Sequence, residues 1–381
     1  MNSLEHELTY TLGDAMPAAG ETMDVAEGVK WIRMGLPFAL NHINLWLLRD
    51  EIDGPHGKVQ GWTIVDCCID KPESRAQWQQ IFDTQLQGLP ILRVICTHMH
   101  PDHIGLAHWI CAKWKVPLWI SSTDYNAARN ASSSSTNFGG QAAADFYASH
   151  GLVDPDSVAK IKARTGYYPS LVPAVPNSYH RMMDGDLIRI GGQDWRCISG
   201  YGHAPEHIAL YLPAPTAPAE PAPRISRMGG AANLGAAQRS APILISGDMV
   251  LPRISTNVSV FDLEPEGDPL KLFLHSIKKY LALPADTLVL PSHGKPFTGM
   301  HQRIAQLQTH HADRLAEVIQ ACSQQPTSGA DIVPIMFKRE LDLHQMTFAM
   351  GEAVAHLHML WYEGKLQRSL DSQGIYRFNV L

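Results

Sequence analysis

The stretch THMHPDH, residues 97–103, places three histidines and one aspartate within a short turn of chain. The preceding run ILRVIC, residues 91–96, is apolar and typical of a buried strand. A structural histidine is satisfied by one hydrogen-bond partner, so four potential ligands grouped around Pro101 indicate a different role. Their residue types are those that bind metal ions, and the stretch therefore predicts a metal site.

Three further apolar strands are each followed by a residue of the same kind in a glycine-containing turn, where side chains can converge. These are His203 after DWRCIS, Asp248 after ILIS and His293 after TLVL. Strand ends from one edge of a layered fold can meet in a single cleft. The spacing suggests one metal at His98, His100 and His203, and a second at Asp102, His103 and His293. Asp248 could bridge them, because a carboxylate has two oxygens.

Taken singly, each of these residues fits a structural role. A lone His203 or His293 is more often a hydrogen-bonded turn histidine, and a lone Asp248 is more often a helix cap. Their order along the chain, each after an apolar strand, favours the metal site. Nitrogen and oxygen ligands without thiolate suit zinc, with iron or manganese as alternatives. His207 is assigned a structural or supporting role.

The elements that must position these residues can be predicted from hydrophobic periodicity. Strands are expected at 29–34, 43–50, 61–68, 91–96, 116–121, 186–190, 194–199, 207–212, 243–246 and 287–290. Helices are expected at 75–87, 104–115, 269–282 and 298–324, and the chain from 328 is expected to form helix, helix and hairpin. This order predicts an α/β fold in which layers of sheet are covered by helices.

Two segments interrupt the pattern. Residues 122–180 are interpreted as an insertion over the site, either a lid or a surface excursion. Its aromatic residues could form an apolar substrate wall or could simply pack the lid; they are Phe138, Phe146, Tyr147, Tyr167, Tyr168 and Tyr179. Residues 213–242 are rich in Pro, Ala and Gly and are interpreted as a low-complexity extension without chemistry.

The pattern THMHPDH…GH…GD…SHG resembles the metallo-β-lactamase superfamily over roughly residues 28–300. The resemblance implies a four-layer αββα sandwich and two Zn²⁺ ions, held by the residues assigned above with Asp248 shared. It also implies a hydrolase domain over 1–300. Residues 301–381 would form a linking helix and a small winged-helix-type C-terminal domain, which resembles that of lactamase-like proteins of the LACTB2 type.

Differences between this chain and known branches of the superfamily narrow the range of functions to consider. Class B β-lactamases lack the bridging aspartate found here at Asp248, and flavodiiron oxygen reductases carry glutamate in place of His100. Persulfide dioxygenases use one iron and would not need His293. Glyoxalase-like and lactonase-like members commonly have H-T-P-G after the third histidine, whereas this chain has HAPEH. The substrates of the glyoxalase-like and lactonase-like members are therefore not assigned to this chain.

A dinuclear site of this kind would lower the pKa of a bound water far below that of bulk water, to about 7, and supply hydroxide for hydrolysis. Asp102 could orient that hydroxide and pass its proton to the leaving group. The first expectation is a hydrolase of a small ester, thioester or lactone. The alternatives are a metal-dependent single-strand endoribonuclease, which the LACTB2-type resemblance allows, and a binding protein without turnover.

Composition bears on the partners. The formal charge of −6 on 381 residues gives no reason to expect affinity for nucleic acid or anionic membranes. The only compact basic cluster is Lys160, Lys162 and Arg164, which would suit a carboxylate or a phosphate. Acids slightly outnumber bases from residue 328 onward, so the C-terminal domain is expected to be structural or part of a homodimer contact rather than a DNA reader. Scattered cysteines and the lack of a signal-peptide pattern predict a cytoplasmic protein. The acidic net charge and the aromatic residues of the insertion favour a small-molecule substrate.

Overall fold

The computed structural model describes residues 2–134, 138–215 and 241–381. Most of the predicted extension 213–242 therefore lies outside the described residues. The strands are β1 Met23–Ala26, β2 Val29–Gly35, β3 His42–Gly54, β4 Gly57–Val65, β5 Ile91–Ile95, β6 Leu118–Ile120, β7 Tyr179–Arg181, β8 Leu187–Ile190, β9 Gln193–Gly200, β10 His207–Leu212, β11 Ile243–Gly247, β12 Leu288–Pro291, β13 Leu366–Leu370 and β14 Tyr376–Val380. The helices are α1 Pro72–Thr84, α2 Pro101–Ile104, α3 Ala107–Trp114, α4 Ser122–Ser133, α5 Gly140–Ser149, α6 Pro155–Ala163, α7 Pro269–Lys278, α8 Met300–Gln324, α9 Gly329–Met336 and α10 Leu343–Tyr362.

Two sheets form the centre of the molecule. The first has seven strands in the order β1 to β7, antiparallel through β4 and parallel from β4 to β7. The second has five strands in the order β12-β11-β10-β9-β8, in which only β11 and β12 are parallel. The carboxyl ends of β4, β5 and β6 consequently share one edge of the first sheet. The ends of β9, β11 and β12 share one edge of the second.

Three apolar layers hold the sheets and helices together. Between the sheets, the fully buried rings of Trp31 and Trp46 stack with centroids 6.2 Å apart. The outer face of the first sheet packs on α1, α3 and α4 through a second cluster that includes Trp78 and Ile110. The outer face of the second sheet packs on α7 and α8 through a third. This arrangement confirms the predicted αββα sandwich.

The chain from residue 328 forms α9, α10 and the hairpin β13–β14, as the sequence predicted. These elements do not enclose a separate core among the described residues, because Met350, Leu357 and Phe378 belong to the same apolar cluster as Phe273 of α7 and the outer side chains of the second sheet. The hairpin also joins the end of α8 through backbone hydrogen bonds between Thr327 and Phe378. The winged-helix character of this segment and the boundary at residue 300 stay predictions.

One predicted helix is divided. Residues 104–115 form α2 and α3 rather than one helix, with the break at Gly105 and Leu106. A Cβ on Gly105 would lie 2.6 Å from the carbonyl oxygens of Cys68 and Pro101, so a glycine is needed where this turn packs on the loop after β4. The break between α2 and α3 is therefore set by the close contact of this turn with the loop after β4, and not by hydrophobic periodicity.

The two longest helices are α8, of 25 residues, and α10, of 20 residues. α8 buries one apolar face that includes Ile304, Leu307 and Val318, whereas α10 is enclosed by α7, α8, α9 and β13. In the described ranges, no helix combines the length and apolar character required to cross a membrane.

We expect Phe378→Ala to lower the free energy of unfolding by about 3–5 kcal/mol, because the fully buried ring leaves a cavity in a core shared with the second sheet. Urea unfolding followed by tryptophan fluorescence measures this. Val380→Ala, on the same strand but 37% exposed, serves as the control and should change little. Early, separate loss of the C-terminal segment would contradict a shared core.

Candidate metal centre

The seven predicted ligands lie at the edge where the strand ends of both sheets meet. His98 and His100 occupy the loop after β5, and Asp102 and His103 fall in the first turn of α2, whose N-terminal position is Pro101. The other three follow β9, β11 and β12: His203, Asp248 and His293. Backbone hydrogen bonds from Ile208 to Thr97 and from Asn44 to Ser292 join the two sheets at this edge. The structure thus brings the seven residues into one place.

The first group consists of three imidazole nitrogens in mutual contact. His98 Nε2 lies 2.9 Å from His100 Nδ1, which lies 3.0 Å from His203 Nε2. The triangle closes with 3.2 Å between His203 Nε2 and His98 Nε2. Zinc–nitrogen bonds of about 2.0–2.1 Å in a tetrahedron imply nitrogen separations of about 3.3 Å. The triangle therefore has the size of one face of a zinc coordination shell.

The second group combines carboxylates with imidazoles. Asp102 Oδ2 lies 3.4 Å from His293 Nε2 and 3.7 Å from His103 Nε2. Asp248 Oδ1 lies 3.5 Å and 3.6 Å from the same two nitrogens. The other oxygen, Asp248 Oδ2, lies 3.3 Å from His203 Nε2 of the first group. Asp248 therefore presents one oxygen to each group, as a bridging carboxylate would.

Hydrogen bonds on the far side of the rings fix which nitrogen faces the centre. His203 Nδ1 lies 2.8 Å from the Asn257 carbonyl oxygen, and His293 Nδ1 lies 2.7 Å from that of His42. A carbonyl can only accept, so both Nδ1 atoms carry a proton and both Nε2 atoms face the centre. Among the described residues, His103 Nε2 and Asp248 Oδ1 are buried without a hydrogen-bond partner. Imidazole nitrogens that face the centre and buried polar atoms without a hydrogen-bond partner are both features of a metal site.

The electrostatics of the cluster favour a cation. Burial alone would lower the pKa of His293, but Asp248 and Asp102 outweigh it and raise that pKa to about 9. Burial likewise opposes protonation of His103, yet Asp66, Asp102 and Asp248 raise its pKa well above the usual value. The pKa of Asp248 is held well below its ordinary range by His293 and His103, although burial would raise it. The carboxylates stay ionised and draw positive charge to the centre.

Asp66 supports the second group and was not singled out from the sequence. It follows β4 with φ 64°, and its Oδ2 accepts from His103 Nδ1 at 2.8 Å. Its Oδ1 accepts from the Thr97 backbone N–H, also at 2.8 Å. An acid directly after an apolar strand, next to the strand that ends in THMHPDH, is a signal that could have identified it.

Asp124 joins the two loops that carry the first group. Its Oδ1 accepts from the Met99 N–H at 2.8 Å, between His98 and His100, and its Oδ2 accepts from the Glu206 N–H at 2.6 Å, three residues after His203. Burial raises the pKa of this carboxyl to about 6, against the effect of both donors. In the sequence Asp124 resembles any acid in the first turn of a helix, so no local signal distinguishes it.

His207 supports the bridging aspartate. Its Nε2 accepts from the Asp248 N–H at 3.2 Å, and its side chain is fully buried. Gly247 has φ 53°, and a Cβ there would lie 2.0 Å from that nitrogen. A glycine is therefore needed for the turn to place Asp248 beside the two groups.

The C-terminal segment reaches the centre through Asn257. The Asn257 side chain donates to Glu352 of α10 at 3.3 Å, while its backbone carbonyl accepts a hydrogen bond from His203 Nδ1. Burial raises the pKa of the Glu352 carboxyl to about 7. A helix near the end of the chain thus helps to orient a predicted metal ligand.

The aromatic residues of the insertion mostly pack inward. Phe146 and Tyr147 belong to the cluster shared with the C-terminal segment, and Tyr168 is fully buried with its hydroxyl donating to the Met99 carbonyl at 2.5 Å. Tyr179 stacks on Tyr125 with centroids 3.9 Å apart. Tyr167 differs, because it lines an open cavity. The aromatic side chains of the insertion therefore mostly pack the interior, which was one of the two interpretations, and Tyr167 lines the cavity.

Comparison with known proteins agrees with this geometry. Residues 43–217 match the family model described as Metallo-beta-lactamase superfamily, and residues 315–381 match Metallo-beta-lactamase-like, C-terminal domain. The chain is 50% identical to a beta-lactamase domain protein of Burkholderia ambifaria of known structure, covering 100% of both chains with a TM-score of 0.87.

Two more distant relatives extend over most of the chain. Probable metallo-hydrolase YqjP of Bacillus subtilis (strain 168) is 21% identical over 359 residues, which is 92% of this chain and 97% of that protein. A metallo-beta-lactamase family protein of Thermus thermophilus is 21% identical, covering 94% of this chain and 100% of the other, with a TM-score of 0.66. At this identity the structural likeness shows the fold alone.

Asp66→Asn should weaken zinc binding by about 10–100-fold, because the amide cannot hold the protonated Nδ1 of His103 as the carboxylate does. Competition against a chromophoric chelator measures the affinity. Asp70→Asn is the matched control, since Asp70 lies four residues on and pairs with Arg75. Equal zinc affinity in wild type and Asp66→Asn would rule out this supporting role.

Proposed function

The chain belongs to the metallo-β-lactamase superfamily and is a metallo-hydrolase, and we propose that it uses two metal ions to hydrolyse a small ester, thioester or lactone. The observation that carries the proposal is Asp248, whose two oxygens lie 3.3 Å from His203 Nε2 and 3.5 Å from His293 Nε2. One carboxylate between two groups of ligands suits a pair of cations. The donors are nitrogen and oxygen without thiolate, which favours zinc and leaves iron or manganese as alternatives.

The chain's own residues would position the reaction. Bound metal ions would activate water and polarise the scissile carbonyl. The Asp102 side chain is 18% exposed, more than Asp248 at 10%, so it lies on the open side of the centre. Burial would raise the pKa of Asp102, but His103 and His293 lower it below the usual value. An ionised carboxylate there can accept a proton from the attacking water and deliver it to the leaving group.

The surroundings support an acyl substrate over a polynucleotide. A polynucleotide is held through several phosphates and calls for a series of Lys and Arg, whereas the net charge of this chain is −6. A small acyl compound needs an apolar wall with one or two polar anchors. We therefore favour a small-molecule substrate and keep single-stranded RNA cleavage as the alternative outcome of the test.

The remaining features of the proposal concern partners and location. We propose that the chain binds neither DNA nor membranes, and that its C-terminal segment is structural or contributes to a homodimer. All six cysteines are free and buried, which supports a reducing compartment such as the cytoplasm.

We expect two zinc ions per chain after reconstitution, measured by elemental analysis of dialysed protein. Asp248→Ala should remove at least one of them and lower kcat by more than the ~10–100-fold that loss of a supporting residue costs. Asp194→Ala, which changes an exposed partner of Arg189, is the control and should keep both ions. One ion in the wild type, or two in Asp248→Ala, would contradict the bridging role.

The substrate class is tested with a panel of esters, thioesters and lactones beside a phosphodiester and single-stranded RNA. We expect metal-replete protein to turn over the acyl compounds faster, since a chain with a net charge of −6 is poorly suited to holding a polynucleotide through its phosphates. Asp102→Asn should be strongly impaired on the same substrates. Much faster cleavage of RNA or the phosphodiester, lost in Asp102→Asn, would establish the nuclease alternative instead.

A further inference from the structure

A cavity of about 450 Å³ opens where three separate parts of the chain meet. They are the loop between β2 and β3, the segment after α6 and the start of α10. The lining residues are Pro37, Phe38, Ala39, Arg164, Tyr167, Asp342, Leu343, His344 and Gln345. The volume lies within the range of about 300–1,000 Å³ that small-molecule sites occupy.

Two walls of the cavity belong to chain segments that also contact the metal centre. Phe38 belongs to the loop that ends at His42, whose carbonyl accepts from His293. Tyr167 precedes Tyr168, whose hydroxyl donates to Met99 between two predicted ligands. Burial raises the pKa of the Tyr167 phenol, Arg164 opposes that rise and the Asp102 carboxylate adds to it.

Arg164 is held in a fixed position on the cavity wall. Its guanidinium carbon lies 3.9 Å from the centroid of the Tyr167 ring. One terminal nitrogen donates to His344 Nδ1 at 2.9 Å, and the other donates to Thr347 Oγ1 at 3.5 Å. These partners are a phenol ring, an imidazole nitrogen and a hydroxyl. They orient the guanidinium without neutralising its charge.

His344 adds a second donor to the same wall. Arginine has no acceptor, so His344 Nδ1 must accept, which leaves the ring proton on Nε2. The ring is also held between Phe38 and Tyr167, with centroids at 5.6 Å and 5.7 Å. Asp342, the acid among the lining residues, caps α10 by accepting from the Gln345 N–H at 2.8 Å. The wall thus combines a fixed cation, a neutral donor and aromatic surface.

We propose that Arg164 and His344 bind an anionic group of the acyl substrate, a carboxylate or a phosphate, while the neighbouring metal centre acts on its carbonyl. A stacked guanidinium presents paired N–H groups that match either anion. Arg164 comes from the insertion and His344 from the C-terminal segment, so the two additions to the sandwich would select the substrate together. The inference rests on the proposed function.

The test compares paired substrates that differ only in the anionic group. The probes are the mono-p-nitrophenyl ester of glutaric acid, a counterpart ending in phosphate and the neutral p-nitrophenyl butyrate. Arg164→Ala should raise KM for the preferred anionic ester by about 10–100-fold, with kcat and the butyrate KM changed less than about twofold. Arg164→Lys should restore part of the affinity. Lys162→Ala, on the exposed side of α6, is the matched control and should behave as wild type.

Whichever of the two anionic esters, carboxylate or phosphate, has the lower KM identifies the anion that the site binds. If the wild type shows no preference for either anionic ester, or Arg164→Ala affects neutral and anionic esters equally, the inference is wrong while the proposed function stands. If the wild type hydrolyses none of these esters, calorimetry with glutarate and glutaramide tests the site directly. The proposed function is wrong if the thioesters and lactones of the panel are not hydrolysed either. Binding of glutarate that is lost in Arg164→Ala and partly kept in Arg164→Lys supports it; equal or absent binding of both probes overturns it.

Discussion

Negative charge concentrated in a buried place is the constraint on which this structure depends. Asp102 and Asp248 lie within 3.7 Å of the same two imidazole nitrogens, His103 Nε2 and His293 Nε2. Buried carboxylates persist only where positive charge and hydrogen bonds compensate them. The raised pKa values of His103 and His293 serve this requirement, because the protonated rings carry positive charge. Asp66 and Asn257 hold the rings of His103 and His203 in place. The two sheets pack on each other through an apolar interior. This packing fixes the strand ends, and the strand ends place the seven predicted ligands side by side.

The layers, and the meeting of the seven predicted ligands at one edge, could be predicted because their signals are local. Each ligand follows an apolar strand directly, and the helical and alternating patterns can be recognised within single segments. Asp66 could have been predicted as a supporting residue, because it directly follows an apolar strand as the ligands do. The contact between Asn257 and Glu352 could not, because neither residue follows a strand and they are 95 positions apart. Nor does the sequence show which way an aromatic side chain points. Tyr168 and Tyr167 are neighbours, yet one is buried and the other lines the cavity.

The C-terminal segment is more closely joined to the catalytic part than a separate module would be. α10 lies in the core cluster of the second sheet, reaches His203 through Glu352 and Asn257, and places His344 on the cavity wall. Packing, ligand orientation and the shape of the cavity therefore depend on one helix. The role of α10 could not be inferred from the charge of the C-terminal segment, because that charge indicates only whether the segment could bind nucleic acid.

The origin of the cavity walls has a consequence for how such proteins diversify. The lining residues come from a loop and from two appended segments, whereas the predicted ligands come from strand ends fixed by both sheets. Substitutions in the lining that leave the Asp342 cap of α10 intact can therefore accumulate without moving the predicted ligands. Natural variation and laboratory evolution have a tolerant region in which to change substrate choice, next to a reaction centre that tolerates little change.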